Sequence, residues 1–177
     1  HTPIGGKYYL MILLLTDTGI RISELSNIKI DDLDLQHNHV RIPGKGQKWR
    51  TVPYSTVTRS EINRFLNTTR KHLCSVASAY LFATPNGLPI SINSIQQSLR
   101  RIGSRAGLNG IRCSPHTFRH SFATMAIANG ANVMVLKEIM GHESLPTTMK
   151  YVHLQPDDLQ QQHIKFSPIM NLGIGKS

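Results

Sequence analysis

The sequence predicts a mainly α-helical domain that contains one small antiparallel β-sheet. Apolar residues recur at helical spacing towards both ends of the chain, whereas residues 33 to 52 alternate with a period of two. With 177 residues, the chain is long enough for one domain with a hydrophobic core and short for two. We therefore expect one helical domain in which a three-stranded meander interrupts the helices.

Capping residues and glycines mark where the predicted helices begin and end. Ser91, the pair Ser114-Pro115 and Asn132 are typical of helix starts, whereas glycine favours a helix end because it tolerates positive φ. The expected terminators are Gly19, Gly107, Gly130 and Gly141. We expect helices over residues 7–17, 22–30, 55–69, 92–106, 115–129 and 133–140, and a further short helix that opens at Thr147.

The predicted sheet is drawn from three short alternating stretches. Leu33 and Leu35 mark the first strand, Val40 and Ile42 the second, and Trp49, Thr51 and Val52 the third. The turn between the last two strands, residues 44–48, places two lysines at an exposed tip.

The charge balance favours a polyanionic partner. Twenty Lys and Arg against ten Asp and Glu give a formal net charge of +10, which repels itself unless an acidic surface neutralises it. Nucleic acid is the leading candidate, although many ordinary cytosolic proteins are also basic. The two cysteines, Cys74 and Cys113, indicate neither a disulfide framework nor a cysteine zinc site, and they fit a reducing compartment.

Neither end of the chain predicts a membrane segment. The longest apolar run, residues 8–15, is much shorter than a membrane span and is followed by polar residues. The chain opens at HTPIGG, without an initiating methionine or a signal-peptide pattern, and we expect it to be a fragment of a longer protein.

Six polar residues together offer the chemistry of metal-free phosphoryl transfer. Guanidinium groups match paired phosphate oxygens and keep their charge, so two of them can stabilise a phosphorane more strongly than the diester. A histidine moves protons near neutral pH, a lysine protonates a leaving alkoxide, and a phenol can attack phosphorus. The candidate residues are Arg21, Lys45, His116, Arg119, His142 and Tyr151.

Each of these residues also has an ordinary structural interpretation. Arg21 can pair with Glu24 on a helix surface, and Lys45 can be a solvated loop tip that competes with Lys48. His116 and Arg119 are three residues apart on one predicted helix, so their side chains are neighbours that can converge on one anion. His116 and His120 have the spacing of a zinc pair, but no third ligand accompanies them, so no metal is expected.

Four blocks of the chain resemble, in order, the signature blocks of the tyrosine site-specific recombinases, the phage-integrase and Xer-like group. The resemblance covers about residues 7 to 155. Its spacings also match those of bacterial members: Lys45 lies 24 residues after Arg21, and Tyr151 lies nine after His142. The blocks are TGIRISEL, GKGQKWRTVPY, HTFRHSFAT and IMGHESLPTTMKYVHL.

The resemblance implies a role for each candidate residue. Tyr151 would attack one DNA strand, leaving a 3′-phosphotyrosyl bond and a free 5′-hydroxyl. Lys45 would protonate the departing oxygen, and His116 would assist proton transfer at the tyrosine and donate a hydrogen bond to the phosphate. The residues that would surround the phosphate are Arg21, Arg119 and His142. Glu24 would hold Arg21 in place. No cofactor or ATP is implied, because the phosphotyrosine bond conserves the energy for rejoining.

The resemblance also implies a setting for the chain. Residues 1–158 would form the catalytic domain of a bacterial, cytoplasmic, DNA-associated recombinase, and residues 159–177 would form a tail exchanged between protomers. Upstream core-binding and arm-binding domains would lie outside this fragment. The partners would be double-stranded recombination sites and three further copies in a homo-tetramer. Independently of the resemblance, additional phosphate contacts are expected from Lys48, Arg100, Arg101 and Arg105, although solvated charge is the usual explanation of such arginines.

Three alternatives accompany this prediction. A non-catalytic DNA-binding module would have no use for a phenol beside two arginines and two histidines. A type IB topoisomerase or a telomere resolvase uses a similar site, although the compact spacing favours a recombinase. Among recombinases, integration or excision of a transposon or prophage is preferred, and Xer-like chromosome-dimer resolution is the alternative.

Overall fold

A computed structural model describes residues 3–44, 48–73, 76–108 and 110–152. Seven α-helices and three strands are present in these ranges. The helices are α1 (Pro3–Thr18), α2 (Ile22–Asn27), α3 (Thr56–Arg64), α4 (Ile92–Arg105), α5 (Pro115–Ala128), α6 (Val133–Met140) and α7 (Leu145–Met149). The strands are β1 (Leu33–Asp34), β2 (His39–Pro43) and β3 (Trp49–Pro53). The predicted fold class, mainly helical with a small three-stranded antiparallel sheet, is confirmed.

The sheet is a meander in the order β1-β2-β3, and both pairs are antiparallel. Val40 lies opposite Val52, and Ile42 lies opposite Arg50. Val40, Ile42 and Val52 are buried, so this face of the sheet turns towards the core, whereas Trp49 on the other face is 58% exposed. Arg50 therefore stands on the inward face among apolar side chains.

Helix α1 forms the centre of the main core. Leu10, Met11, Leu14 and Leu15 are fully buried, and the helix packs against α3 and α5. It ends as predicted at Gly19, whose φ of 61° is left-handed. A Cβ at this position would also overlap the ring of Phe122. Glycine is therefore favoured both by the backbone conformation and by the close packing of Phe122. The carbonyl of Gly19 is thereby brought beneath α5.

A second, smaller cluster joins α5 to α6. Ala123, Leu136 and Met140 are buried there, with Phe122 and Tyr151 packed against them. Phe118, four residues before Phe122, packs instead against the main core. Helix α6 also packs against β3. The sheet, α5 and the end of α6 consequently meet in one region.

Several helix boundaries agree with the caps seen in the sequence. Ser91, Ser114 and Asn132 each accept a backbone hydrogen bond at the starts of α4, α5 and α6. Gly141 ends α6 with a left-handed φ of 63°. The last helix departs from the prediction, because α7 begins at Leu145 after Ser144 rather than at Thr147.

The region after the sheet also departs from a regular helix. The predicted helix over residues 55–69 is regular only as far as Arg64, and Phe65–Thr69 continues as a π-helix, followed by a 3-10 turn over Arg70–His72. Within the described ranges, none of the helices has both the length and the apolar character needed to cross a membrane.

Candidate active site

Three arginines from distant parts of the chain converge on the last turn of α6. Arg50 Nε donates to the Ile139 carbonyl at 3.0 Å, and Arg119 Nη2 donates to the Met140 carbonyl at 2.8 Å. Arg21 Nη2 donates to the Gly141 carbonyl, also at 2.8 Å. The last carbonyls of a helix have no intrahelical partner and carry its partial negative charge, so they attract cations. Three consecutive backbone oxygens thus hold three guanidinium groups together.

Glu24 fixes two of these arginines from the other side. Its Oε1 accepts from Arg21 Nη1 at 3.1 Å and from Arg50 Nη1 at 2.8 Å. Its Oε2 accepts from the backbone N–H of Arg21 at 2.7 Å and from Arg50 Nη2 at 2.8 Å. Burial raises the pKa of the Glu24 carboxyl, but the hydrogen bonds and charges of Arg50 and Arg21 outweigh it and hold the pKa below its ordinary value. Glu24 is therefore ionised at neutral pH, and it contacts Arg21 as the sequence predicts.

Arg119 lies deeper in the site than Arg21. Its Nη1 donates to the Gly19 carbonyl at 2.6 Å, so this one side chain links the end of α1 to the end of α6. Burial, and next the positive charge of Arg21, lower the pKa of Arg119 to about 10. The guanidinium remains charged at neutral pH. Each of its terminal nitrogens keeps a second N–H for a ligand.

His142 follows directly after the three carbonyls. Its Nδ1 lies 2.8 Å from the hydroxyl of Thr148, a fully buried residue of α7. Burial and the nearby charges of Arg119, Arg21, Arg50 and Lys137 lower the pKa of His142 to about 4. The imidazole is therefore neutral at pH 7, and its tautomer depends on whether Thr148 donates or accepts.

Tyr151 is half-buried at the edge of the small α5–α6 cluster. Its ring centroid lies 5.3 Å from that of His120, and its backbone N–H donates to the Thr148 carbonyl at 3.1 Å. Tyr151 is also near enough to Arg119 to influence the pKa of that arginine. The same short segment, residues 141–151, thus carries both His142 and the candidate nucleophile.

His116 occupies a different position from the other candidates. It is exposed on the first turn of α5, where it lines a cleft of about 280 Å³ with Arg100 and Arg112. Within the described part of the chain, no hydrogen bond or ion pair joins His116 to Arg119 or to the carbonyls that hold it. Its predicted role in proton transfer therefore stays a prediction.

The predicted phosphate contacts divide between two faces of α4. Arg100 is exposed beside His116 in the cleft, whereas Arg101 and Arg105 line a separate groove against Tyr8 and Tyr9 of α1. Lys48 is exposed at the start of β3, where its carbonyl accepts from Gly44 N at 2.7 Å. Lys45 lies outside the described residues, so its predicted role as a general acid is not tested by the structure.

Two residues of this region were missed by sequence reasoning. Arg50 gave a signal, because it is a charged residue at an inward position of a strand whose neighbours Val52 and Ile42 are apolar. His120 was considered only as half of a zinc pair, yet its ring lies against Tyr151. Within the described ranges, no group of three or more His, Cys, Asp and Glu side chains is arranged to hold a metal ion.

Comparison with known proteins identifies close relatives of this chain. The tyrosine recombinase XerD of Corynebacterium glutamicum is 38% identical over 160 residues, which cover 90% of this chain and 52% of that protein. The tyrosine recombinase XerC of Anoxybacillus flavithermus is 35% identical over 171 residues, which cover 95% of this chain and 57% of that protein. The chain thus spans about half the length of the curated relatives it matches.

A solved structure and a family model extend the comparison. The XerH site-specific recombinase bound to its difH substrate, in a pre-cleavage complex, superposes with a TM-score of 0.79 at 27% identity. The superposition covers 94% of this chain and 48% of that one. The model of the phage integrase family matches residues 1–158. The chain therefore belongs to the phage integrase family.

Proposed function

We propose that this chain cuts, exchanges and reseals DNA strands as the catalytic part of a tyrosine site-specific recombinase. The observation that carries the proposal is the convergence of Arg21, Arg50 and Arg119 on three consecutive carbonyls, next to His142 and near Tyr151. Fixed positive charge of this density favours an anionic ligand. A DNA phosphate beside the Tyr151 phenol fits this arrangement.

In the proposed reaction, the oxygen of Tyr151 attacks a DNA phosphorus. A bond forms between the phenolic oxygen and phosphorus, and the bond from phosphorus to the 5′-oxygen breaks. The phenolic proton passes to a base, for which His116 is the candidate, and the departing 5′-oxygen receives a proton from Lys45. Resealing is the reverse attack by a 5′-hydroxyl, so neither ATP nor a metal enters the balance.

The arginines supply the differential stabilisation in this proposal. The phosphorane carries more negative charge than the diester, so guanidinium groups already in place bind it more tightly. Arg21, 45% exposed, and Arg119, fixed from behind by two carbonyls, both keep N–H groups for the phosphate. Neutral His142 would donate a hydrogen bond through Nε2 when the Thr148 hydroxyl donates to Nδ1.

The proposal is tested by covalent capture. A pool of nicked duplexes with randomised sequence around the nick is incubated with the chain, and protein-linked DNA is isolated and sequenced. We expect capture of a restricted set of sequences by the wild type and none by Tyr151→Phe, because phenylalanine has no attacking oxygen. Tyr80→Phe, at a tyrosine that lines neither of the two arginine-lined grooves, is the matched control and should capture as much DNA as the wild type.

The same assay separates the alternative functions. A non-catalytic binding module would capture nothing covalently. A type IB topoisomerase would capture most members of the pool regardless of sequence. Undiminished capture by Tyr151→Phe would refute the assignment of the nucleophile.

The biological task remains a proposal with two forms. Integration or excision of a mobile element is the form favoured from the sequence, and Xer-like chromosome-dimer resolution is supported by the relatives named XerC and XerD. Mapping the captured sequences onto the source genome decides between them. Sites at the ends of an element support the first form, whereas a single chromosomal site apart from any mobile element supports the second.

A further inference from the structure

All three nitrogens of the Arg50 guanidinium form hydrogen bonds inside the protein. It lies on the inward face of β3 opposite Ile42, and its side chain is 13% exposed. Nη1 and Nη2 each donate to one oxygen of Glu24 at 2.8 Å, and Nε donates to the Ile139 carbonyl at 3.0 Å. This planar fork is a geometry that lysine cannot reproduce.

The carboxylate of Glu24 is saturated by this arrangement. A carboxylate offers about four lone-pair sites, and Glu24 accepts two hydrogen bonds from Arg21 and two from Arg50. With Arg50 in place, Glu24 has one orientation, and it presents Oε1 to the Arg21 guanidinium. Without Arg50, the carboxylate would be free to rotate towards Arg21 and draw its guanidinium back from a ligand.

Arg50 also lies in tight contact with the end of α6. Besides its bond to Ile139, its guanidinium packs so tightly against Gly141 that a Cβ there would lie 2.8 Å from Cζ. Gly141 in turn gives its carbonyl to Arg21 and precedes His142. One side chain therefore joins β3 to the start of α2 and to the end of α6.

We propose that Arg50 is a positioning residue for strand cleavage: through Glu24 and the Ile139 carbonyl it sets the orientation of the Arg21 guanidinium and the position of His142, without touching DNA. This role deepens the proposed function and rests on it. A buried ion pair adds little net stability by itself, which is why its effect is sought in the reaction rather than in folding alone.

The kinetic test uses Arg50→Lys and Arg50→Met with Arg64→Lys as the matched control. Arg64 forms a similar fork with Glu61 on α3, away from the site. Single-turnover cleavage is measured at saturating DNA on a nicked duplex whose sequence was identified in the capture assay. The Kd for the same DNA is measured by fluorescence anisotropy. We expect cleavage about tenfold slower for Arg50→Lys and about a hundredfold slower for Arg50→Met, because small misplacements are costly in rate.

A positioning residue is expected to change the cleavage rate without changing the affinity for DNA. Kd should stay within about twofold of the wild type for both variants, and Arg64→Lys should change neither quantity. Arg50→Lys that cleaves as fast as Arg64→Lys would overturn the proposal. So would a weakened Kd with an unchanged rate at saturation, because that pattern belongs to a DNA contact.

A double variant separates positioning from simple charge compensation. Glu24→Gln with Arg50→Gln removes both buried charges and leaves two amides able to bond each other. We expect its thermal unfolding midpoint to recover relative to Arg50→Met, whereas its cleavage stays slow because Arg21 has lost its ionised partner. Recovery of the cleavage rate would show that Arg50 merely neutralises Glu24, and the proposal would fall.

A measurement without DNA keeps this inference separate from the proposed function. In the free protein, the ¹⁵N signals of the Arg21 side chain report how firmly its guanidinium is held. We expect slow N–H exchange in the wild type and Arg64→Lys, and fast exchange in Arg50→Lys. If the wild type captured no DNA, the proposed function would fail, and an Arg21 signal unchanged by Arg50→Lys would separately refute the positioning role.

Discussion

Arg119 and His142 differ in charge at pH 7, although the same cluster of positive charges lowers the pKa of both. Burial and Arg21 lower the pKa of Arg119 to about 10, which leaves it a cation at pH 7. Burial and Arg119 lower the pKa of His142 to about 4, which leaves it neutral. The arginines therefore supply the charge of the site, and the histidine supplies a hydrogen bond.

The lowered pKa of His142 predicts a pH dependence of stability. An unfolded histidine protonates near pH 6.5, whereas the folded one protonates near pH 4. Because the unfolded chain binds the proton first, stability falls as pH drops from about 6.5 to 4 and levels off below that. The wild type should lose about 1–2 kcal/mol more than His142→Asn over this window, after discounting for partial exposure.

The measurement is urea unfolding of both proteins at several pH values. Glu24 also protonates at low pH, but it is present in both proteins and cancels in the difference. Equal losses of unfolding free energy in the wild type and His142→Asn would contradict the assignment.

We expect Arg119→Lys to slow cleavage even though the substitution keeps the positive charge. Lysine keeps a positive charge, but it cannot donate to Gly19 and Met140 while also presenting a flat pair of N–H groups to a phosphate. We expect single-turnover cleavage to fall about a hundredfold or more, as for loss of one oxyanion donor. Arg59→Lys on α3 is the control, and an equal effect of both substitutions would count against Arg119.

Single residues were predictable where their chemistry is carried by the side chain. Residue type, order and the family resemblance pointed to Arg21, Glu24, Arg119, His142 and Tyr151, and the structure brings these residues together near the end of α6, whereas their catalytic roles stay predictions. The partners of Arg50 were not predictable, because Glu24 lies 26 residues away and Ile139 lies 89 residues away, and a backbone carbonyl has no sequence signal. Only the inward position of Arg50 on its strand hinted at a buried partner.

At the level of secondary structure, the end of α6 is the element on which the site depends. Its C-terminal carbonyls hold the arginines, and Gly141 gives the chain the left-handed turn that leads to His142. Gly141 is therefore favoured for two separate reasons, its left-handed backbone and the close approach of the Arg50 guanidinium. A comparison with another helix-ending glycine can separate them.

Gly141→Ala and Gly130→Ala form a matched pair for this purpose. Both glycines have positive φ, 63° and 82°, so alanine costs about 1 kcal/mol of backbone strain at either position. At Gly130 a Cβ meets nothing within 4 Å, whereas at Gly141 it meets the Arg50 guanidinium. We expect similar small stability losses from the strain, plus a tenfold or larger loss of cleavage for Gly141→Ala alone.

Thermal unfolding and covalent capture of nicked DNA measure the two effects. Cleavage lost equally in both variants would show that the approach of Arg50 to Gly141 is unimportant.

Helix starts were easier to predict than irregular helix continuations. Ser91, Ser114 and Asn132 cap α4, α5 and α6 as expected, because each offers an oxygen to unpaired backbone N–H groups. Residues 65–69 keep the apolar spacing of α3, and nothing in that spacing distinguishes the π-helix that Phe65–Thr69 adopts. The start of α7 was misplaced because Ser144 and Thr147 are both plausible first residues.

At the scale of the whole molecule, the net charge of +10 predicts salt-sensitive DNA binding. Lysines and arginines that neutralise phosphates release counterions, so affinity falls as salt rises. We expect the logarithm of the association constant to fall with the logarithm of salt concentration with a slope steeper than about −3. Anisotropy between about 50 and 200 mM salt measures this slope, and a flat response would contradict a phosphate-binding site.

The tail predicts a different whole-molecule behaviour. Residues 159–177 are expected to pass between protomers, and they lie outside the described residues together with 153–158. Deleting the chain after Asp158 should reduce assembly of a four-protomer complex on paired DNA sites, because the exchanged segment is lost. Sedimentation of the complex measures this, and an unaltered tetramer would refute tail exchange.

The acceptors at Ile139, Met140 and Gly141 are main-chain oxygens. No ordinary amino-acid replacement can delete them, so substitutions at 139 and 140 act through side-chain packing: Met140 is buried in the α5–α6 cluster, and Ile139 packs against the main core. Residue-by-residue scanning would report on this packing and on the turn at Gly141, and not on the hydrogen bonds that the carbonyls accept. Replacing an amide by an ester, which weakens the carbonyl as an acceptor, is the substitution that would reveal them.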